Sequence, residues 1–200
     1  MSNNIAGARK LQPKEMKAII EQMSMRDRVW FILGCSTGLR ISELLSLQVK
    51  DVFDGKAIKP FFRLTGVRVK KGVARNVTVT PMTHQLLKEW LGHVGNDPEC
   101  FLFQSREGKN KPITRQQADV AIRKAARNLG LSGKVATHSM RKTFAWNIYE
   151  LGGYDINLVR EAVGHAYVTT TQAYLGQGQE KVQKETSKHT DAMLTKVFSA

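Results

Sequence analysis

The sequence predicts a mainly helical α+β domain with one small antiparallel β-sheet. Most of the chain places apolar residues at the three- and four-residue spacing of helices, and residues 57–80 interrupt this pattern with β-branched and aromatic residues. The 200 residues show no internal repeat and no Pro/Gly/Ser-rich linker, so we expect one principal domain. A hydrophobic content of 42% is enough for a core without disulfides.

The N-terminal part of the chain predicts three helices. Gln12-Pro13-Lys14-Glu15 is typical of a helix start, because proline suits the first turn and a carboxylate is favourable at the positive end of the helix dipole. A second helix is expected from about Arg26 to Ser36, before Thr37-Gly38. A third helix, beginning beside Arg40, is indicated by the apolar residues Ile41, Leu44, Leu45 and Leu47.

The middle of the chain predicts a β-hairpin. Alternating apolar and basic residues run from Val67 to Lys70, Lys71-Gly72 would form the turn, and Val77 and Val79 alternate with threonines on the return. One face of the hairpin would therefore be apolar and the other basic, with Lys70 near the tip.

Helical periodicity returns at Pro81 and continues to the C-terminus. Thr114 and Thr137 are placed to cap two helices, and the second would bury Phe144, Ile148 and Leu151. A shorter helix is expected from Asp155 to Val163. A last amphipathic stretch carries Met193, Leu194, Val197 and Phe198.

The charge of the chain indicates a polyanionic partner. The 31 basic and 17 acidic residues leave a net charge of +14. The excess is clustered, because Gly55 to Lys88 contains eight Lys/Arg and no Asp or Glu, and Gln104 to Glu150 contains ten basic and three acidic residues. Dispersed charge would serve solubility equally well, so this clustering favours a surface that binds phosphates.

The cysteines and the apolar segments exclude several classes of protein. Cys35 and Cys100 have no partner at metal-binding or redox-motif spacing, so we expect neither a disulfide framework nor a zinc site. The longest apolar run, Val29 to Cys35, is too short to span a bilayer, and the N-terminus lacks the apolar segment of a secretory signal. The expectation is a cytoplasmic protein without metal or cofactor.

Two pairs of polar residues have the spacing of a helix face. His138 and Arg141 would present an imidazole and a guanidinium near the positive end of one helix, where a phosphate would be stabilised. Arg40 and Glu43 share a face in the same way, so the carboxylate could orient the guanidinium. Each pair taken alone is also typical of an ordinary protein surface.

A serine hydrolase is an alternative interpretation. Gly34-Cys35-Ser36-Thr37-Gly38 matches the G-x-S-x-G nucleophile elbow, and Asp155 and His165 follow Ser36 in the right order. The elbow requires a strand before the serine, whereas the pattern here is helical, and no glycine-rich oxyanion segment is present. The sequence therefore disfavours this interpretation.

Taken together, the motifs resemble the tyrosine recombinase (phage integrase) family from about Leu11 to Tyr174. They are Thr37-Gly38-Leu39-Arg40-Ile41-Ser42-Glu43-Leu44, the Lys-bearing hairpin, His138-Ser139-Met140-Arg141, Gly164-His165, and Tyr174 nine residues after that histidine. The resemblance implies the catalytic-domain fold of that family, with residues 1–10 as an N-terminal extension and 11–180 as the catalytic domain. Residues 181–200 would be a C-terminal helical tail that could be exchanged between protomers.

The resemblance also implies roles for individual residues. Lys70 corresponds to the hairpin lysine, with Lys71 as a competing candidate, and Glu43 is a supporting residue. His165 would donate a hydrogen bond to a non-bridging phosphate oxygen. The implied catalytic set is Arg40, Lys70, His138, Arg141, His165 and the nucleophile Tyr174.

The chemistry of phosphodiester cleavage fits these residue types. The planar forks of Arg40 and Arg141 can donate to phosphate oxygens on which charge grows during in-line attack. A tyrosine with a pKa near 10 is only about one part in a thousand ionised at neutral pH, so Tyr174 needs a proton acceptor, for which His138 is placed. Lys70 would protonate the leaving 5′ oxygen.

The implied function is site-specific DNA recombination through a covalent 3′-phosphotyrosyl intermediate, without metal or ATP. The expected partner is double-stranded DNA with specific recombination sites, bound by a homotetramer that is a monomer when free, with an accessory directionality protein as a further possibility. A type IB topoisomerase and a non-catalytic DNA-binding module are the alternatives. Integration, excision, inversion and resolution all stay open, as does the DNA target.

Members of the family usually carry an additional N-terminal DNA-clamping domain. About ten residues precede the first predicted helix here. We therefore expect the catalytic domain alone, either as a fragment or as a naturally short member such as the fimbrial-switch invertases.

Overall fold

The computed structural model describes residues 7–64 and 74–175, and within these ranges it is mainly helical with one two-stranded antiparallel sheet. The elements in chain order are α1 (Pro13–Glu21), α2 (Met25–Thr37), α3 (Ile41–Leu45), α4 (Val49–Val52), β1 (Phe61–Leu64), β2 (Arg75–Thr78), α5 (Pro81–Val94), α6 (Arg115–Asn128), α7 (Thr137–Leu151), α8 (Ile156–Val163) and α9 (Val168–Leu175). The predicted α+β class is confirmed.

The helices begin where side chains can satisfy free backbone N–H groups. Thr80 accepts a hydrogen bond from the N–H of Thr83 at the start of α5, and Thr114 accepts one from Gln117 at the start of α6. Asp155 caps α8 in the same way, at 2.8 Å from the N–H of Asn157. These starts agree with the sequence prediction.

The start and the end of α7 differ from the prediction. Ala136, with an extended backbone, is the N-cap residue, and Thr137 is already helical. The backbone N–H of Thr137 instead donates to Asp119 Oδ1 at 3.3 Å, so another helix supplies the cap. Leu151 is 88% exposed rather than buried, because it ends the helix and the chain turns away at Gly152.

The sheet has one apolar face, and Val77 lies on it, as the alternation on the return strand predicts. The first predicted strand, Val67 to Lys70, lies outside the described residues. Strand β1 pairs with β2 so that Leu64 lies opposite Arg75. The inward side chains that are buried are Phe62, Leu64 and Val77. The predicted turn, with Lys70 and Lys71, lies outside the described residues, as do the first six residues and the predicted tail at 181–200.

The core consists of two apolar clusters that meet at α7. The larger cluster joins α1 to α6 with the sheet and includes Met140 of α7. The smaller cluster joins Ala145 of α7 with Val159 and Val163 of α8 and Leu175 of α9. Helix α7 therefore connects the two clusters.

Two glycines allow α2 to approach α7 closely. A Cβ atom added to Gly34 would lie 2.7 Å from Met140 Sδ. Gly38, which ends α2 with φ of +62°, faces the ring of Phe144, and a Cβ there would lie 2.8 Å from Cε1. The carbonyl of Gly38 is thereby brought within reach of side chains on α7.

Two further features concern the cysteines and the lengths of the helices. Both cysteines are free thiols, and Cys35 is buried. Within residues 7–64 and 74–175, none of the helices has the length and apolar composition that crossing a bilayer requires.

We predict that Gly38→Ala destabilises the protein by about 2–4 kcal/mol, because the new methyl group meets Phe144 and the left-handed backbone disfavours alanine. The matched control is Gly92→Ala in α5, where no atom lies within 4 Å of the added Cβ. This control should be neutral or stabilising by up to about 1 kcal/mol. Urea denaturation of both variants measures the difference, and equal stabilities would contradict the packing argument.

Candidate active site

The predicted site residues come from four separate parts of the chain. Arg40 and Glu43 lie at the start of α3, Arg141 lies in the second turn of α7, His165 lies in the turn after α8, and Tyr174 lies in α9. Hydrogen bonds, ring contacts and mutual electrostatic effects link these residues. Lys70 and Lys71 lie outside the described residues, so their roles stay predictions.

Glu43 holds Arg40 at two points. Its Oε2 accepts a hydrogen bond from the backbone N–H of Arg40, and its Oε1 accepts one from Nη1, both at 2.8 Å. The carboxylate is 2% exposed whereas the Arg40 side chain is 30% exposed. Glu43 thus fixes the start of α3 and directs a guanidinium that still reaches solvent.

Arg141 is buried and binds two backbone carbonyls. Nη1 donates to the carbonyl of Gly38 at 2.6 Å, and Nη2 donates to the carbonyl of Val163 at 2.8 Å. Both carbonyls lie at helix C-termini, where the helix dipole favours a cation. Burial, together with the charges of Arg40 and Arg75, lowers the pKa of Arg141 to about 10, so the group remains charged at neutral pH.

Arg75 is a third guanidinium of the site, and our sequence interpretation gave it no role. Its Nη1 donates to the carbonyl of Ala162 at 2.8 Å, and its Nη2 lies 3.6 Å from Glu43 Oε2. Among the described residues Nη2 has no hydrogen-bond partner, although the side chain is only 10% exposed. The feature of the sequence that could have identified Arg75 is the alternation of a β-strand, which puts Arg75 on the same inward face as Val77.

His165 is held in place by both its backbone and its ring. It follows Gly164, and its backbone N–H donates to the carbonyl of Arg160 at 3.0 Å. Its Nδ1 lies 3.0 Å from Thr171 Oγ1. Burial, with the charges of Arg141 and Arg40, lowers the pKa of His165 to about 4, so the ring is neutral at neutral pH.

The hydroxyl of Tyr174 points toward the start of α7. The ring packs edge-on against His165, with 5.5 Å between ring centroids and an interplanar angle of 81°. The hydroxyl donates to the backbone carbonyl of His138 at 3.4 Å, not to the imidazole. Burial raises the pKa of Tyr174 to about 12, although the charges of Arg141 and Arg40 oppose this shift.

His138 lies beside this hydroxyl on the first turn of α7. His138 is exposed at the surface, but partial desolvation by the surrounding protein, with the positive charges of Arg115 and Arg141, still lowers its pKa. A neutral imidazole at this position can accept a proton. Tyr174 therefore contacts the backbone of a residue that carries a titratable imidazole, and its hydrogen bond is to the carbonyl rather than to that side chain.

The site is suited to an anion with several oxygens. The guanidiniums of Arg40, Arg75 and Arg141 lie near one carboxylate, Glu43, which leaves a local net charge of +2. Buried or partly buried guanidiniums offer planar sets of donors to phosphate oxygens. In the described part of the chain, no cluster of three or more His, Cys, Asp or Glu side chains is arranged to bind a metal ion.

The structure excludes the serine-hydrolase interpretation. Ser36 lies within α2 rather than after a strand, and its hydroxyl donates to the carbonyl of Leu33 at 3.2 Å. The histidine that this interpretation required, His165, hydrogen-bonds to Thr171 instead.

Comparison with proteins of known sequence gives consistent matches. Tyrosine recombinase XerD of Corynebacterium glutamicum is 33% identical over 162 residues, which cover 78% of this chain and 50% of that protein. The probable integrase/recombinase YoeC of Bacillus subtilis is 32% identical over 163 residues, which cover 82% of this chain and 84% of that protein. The chain spans about half the length of the XerC and XerD relatives.

Solved structures share the fold. The crystal structure of XerA recombinase matches 90% of this chain and 64% of its own with a TM-score of 0.69 and 24% identity. XerH site-specific recombinase, bound to its difH substrate in a pre-cleavage complex, matches 94% of this chain and 55% of its own with a TM-score of 0.67 and 24% identity. The tyrosine-recombinase catalytic-domain fold is therefore confirmed.

The model of the phage integrase family matches residues 9–181, which is most of the chain. This match includes every described residue of the site, from Arg40 to Tyr174. The chain therefore belongs to the phage integrase family.

Proposed function

We propose that this chain cleaves and rejoins DNA as a site-specific recombinase, with Tyr174 as the nucleophile. The observation that carries the proposal is the position of the Tyr174 side chain within the electrostatic influence of Arg141 and Arg40 and against a neutral His165. Such a site binds the phosphate and supplies the attacking oxygen. The family match and the recombinase relatives support the same reaction.

The first step is the seating of a phosphodiester between the guanidiniums. Arg141 has committed two of its five N–H donors to carbonyls, which fixes its plane and leaves the others for phosphate oxygens. Arg40 is held by Glu43 and is partly exposed, so its guanidinium offers a second set of N–H donors. Charge on the non-bridging oxygens grows during attack, so these donors contribute more to the transition state than to the bound state.

The covalent step joins Tyr174 Oη to phosphorus and breaks the bond between phosphorus and the 5′ oxygen. The phenol proton passes to the imidazole of His138, the residue whose backbone carbonyl the hydroxyl contacts in the free site. The departing 5′ oxygen takes a proton from Lys70, or from Lys71 in its place. The product is a 3′-phosphotyrosine and a free 5′ hydroxyl.

Rejoining reverses these events. A 5′ hydroxyl attacks the phosphotyrosine and gives its proton to Lys70, or to Lys71 in its place, while the bond between phosphorus and Tyr174 Oη breaks. Tyr174 leaves as a phenol with the proton returned by His138. The phosphotyrosine keeps the free energy of the broken diester, so ATP is not required. When the hydroxyl comes from another strand, the result is strand exchange.

The assembly is proposed from the relatives and from the chain itself. A lambda integrase fragment forms a dimer on a COC′ core site in a matching structure. We infer that this chain binds double-stranded recombination sites as a homotetramer and is monomeric when free. The reaction would take place at the nucleoid in the cytoplasm, and an accessory directionality protein can take part in it. The tail at 181–200, with its apolar residues, would dock on a neighbouring protomer.

We predict that Tyr174→Phe abolishes covalent attachment to DNA while binding is retained, because only the attacking oxygen is removed. The full chain is incubated with nicked duplexes containing a randomised segment, and denaturation-resistant complexes are captured and sequenced. Tyr167→Phe is the matched control, since Tyr167 is exposed on the same segment, and it should react normally. An adduct that persists with Tyr174→Phe contradicts the assignment.

A plasmid-relaxation assay, read together with the adduct capture, separates the alternatives. Relaxation of supercoiled plasmid without strand exchange between the captured sequences would indicate a type IB topoisomerase. Binding of DNA with no adduct from the unaltered protein would indicate a non-catalytic DNA-binding module.

We predict that Arg40→Lys and Arg141→Lys each slow cleavage about 10²–10³-fold, the usual cost of losing one transition-state donor, with smaller changes in DNA affinity. Lysine keeps the charge and removes the planar fork. The control is Arg28→Lys, because Arg28 also donates to a carbonyl, that of Met23, but lies about 15 Å from Gly38 along α2. Equal losses of binding and cleavage would indicate a structural role only.

We predict that DNA affinity depends steeply on salt, because the clustered Lys and Arg residues displace counterions from the phosphates. About six to ten phosphate contacts would weaken binding by about 10³–10⁵-fold between 50 and 200 mM salt. Fluorescence anisotropy with a labelled duplex measures the slope. Binding that does not change with salt would contradict the polyanion interface.

A further inference from the structure

His165 and Thr171 form a buried pair that connects the histidine to the tyrosine helix. Thr171 is fully buried, and its Oγ1 lies 3.0 Å from His165 Nδ1. Thr171 and Tyr174 lie three residues apart in α9, whereas His165 lies in the turn before that helix. The hydrogen bond therefore joins two elements that both face the proposed phosphate position.

The direction of this hydrogen bond follows from which acceptors are available to the Thr171 hydroxyl proton. Two other buried helical threonines donate to the carbonyl four residues earlier: Thr37 to Leu33 at 2.6 Å and Thr143 to Ser139 at 2.8 Å. Within the part of the chain that the structure describes, Thr171 makes no such bond, and its hydroxyl contacts Nδ1 alone. A buried hydroxyl needs an acceptor for its proton, so Nδ1 is the acceptor.

The protonation state of the ring then fixes the second nitrogen. His165 is neutral at neutral pH, because burial and the charges of Arg141, Arg40 and Arg75 disfavour the imidazolium. A neutral imidazole has one donor nitrogen and one acceptor nitrogen. With Nδ1 as the acceptor, Nε2 carries the proton.

We propose that Thr171 is a positioning residue that sets His165 in the Nε2–H tautomer, so that seating of helix α9 brings the nucleophile and a correctly protonated histidine to the phosphate together. The catalytic part rests on the proposed function, whereas the tautomer itself does not. The Nε2–H group donates to a phosphate oxygen. The other tautomer would present a lone pair to that oxygen and repel it.

The position of the Thr171–His165 pair explains why placement of Tyr174 and selection of the His165 tautomer are coupled. Thr171 is one helical turn before Tyr174, so any displacement of α9 that withdraws the tyrosine also withdraws the hydroxyl from Nδ1. His165 then loses the bond that selects its tautomer. A withdrawn α9 therefore leaves a site that lacks both the nucleophile and one phosphate donor.

The tautomer is measured by ¹⁵N NMR of the histidine side chains in the full chain at neutral pH. We expect the Nε2–H form of His165 in the unaltered protein and in Thr171→Ser, which keeps the hydroxyl. Thr171→Val, which has the same shape without the hydroxyl, should show a mixture of both forms. Thr170→Val is the matched control, because Thr170 is exposed on the same helix, and it should leave the tautomer unchanged.

The catalytic consequence is measured on the captured duplexes under single-turnover conditions. Thr171→Val should slow adduct formation by about 2- to 10-fold, because only the fraction of His165 in the Nε2–H form would be competent. DNA affinity should be unchanged, and Thr171→Ser should restore the rate. Thr170→Val should cleave normally.

Two results would overturn the inference. The first is an Nδ1–H form in the unaltered protein, which is decisive even if Thr171→Val does not fold. The second is an unchanged cleavage rate in a folded Thr171→Val protein. If the unaltered protein shows Nε2–H and forms no adduct on any duplex, the proposed function is wrong and the tautomer assignment stands.

Discussion

The buried guanidinium of Arg141 is the interaction on which the arrangement of the site depends. It donates to the carbonyl of Gly38 at the end of α2 and to that of Val163 at the end of α8. Each charge-assisted hydrogen bond contributes about 1.5–3 kcal/mol, and burying the cation without them would be costly. The ends of α2 and α8 are therefore held at a fixed distance by a side chain that also faces the proposed phosphate.

The same geometry explains the glycines around the site. Gly38 adopts a left-handed conformation in contact with Phe144, and Gly164 lies under the side chain of Arg75, where a Cβ would be 3.1 Å from Cδ. Both residues follow helices whose terminal carbonyls accept from guanidiniums. Close backbone approach and cation binding at helix C-termini are thus two aspects of one arrangement.

The sequence predicts the elements better than it predicts contacts between them. Periodicity located α5, α6 and α8, because each buries one face and begins at a capping residue. Helix α2 is buried around most of its circumference, and the Thr37-Gly38 break indicated where it ends. It failed at Leu151, since a single apolar residue at the end of a helix has no neighbour that the sequence can identify. The sequence also predicted Thr137 as a cap residue. The hydrogen bond from the Thr137 backbone N–H to Asp119 of α6 is a tertiary contact, which the local pattern does not contain.

The candidate site shows the same division between local pattern and tertiary contact. The pair Arg40 and Glu43 could be predicted, because residues three apart on a helix face each other. Arg75 has no such local partner: its contacts are Ala162 and Glu43, distant in the sequence. The bond between Thr171 and His165 depends on how α9 packs after the turn, which composition and spacing do not encode.

The electrostatics of the unliganded site constrain the order of the chemical events. Burial raises the pKa of Tyr174 to about 12, so the free site keeps this hydroxyl, the proposed nucleophile, protonated despite the nearby guanidiniums. A bound phosphate adds negative charge, which neutralises those guanidiniums and disfavours the phenolate further. Ionisation of Tyr174 before attack is therefore unfavourable with or without DNA. In the proposed reaction, proton transfer to His138 therefore accompanies formation of the bond to phosphorus, because only then would the negative charge move onto oxygens that Arg40 and Arg141 can stabilise.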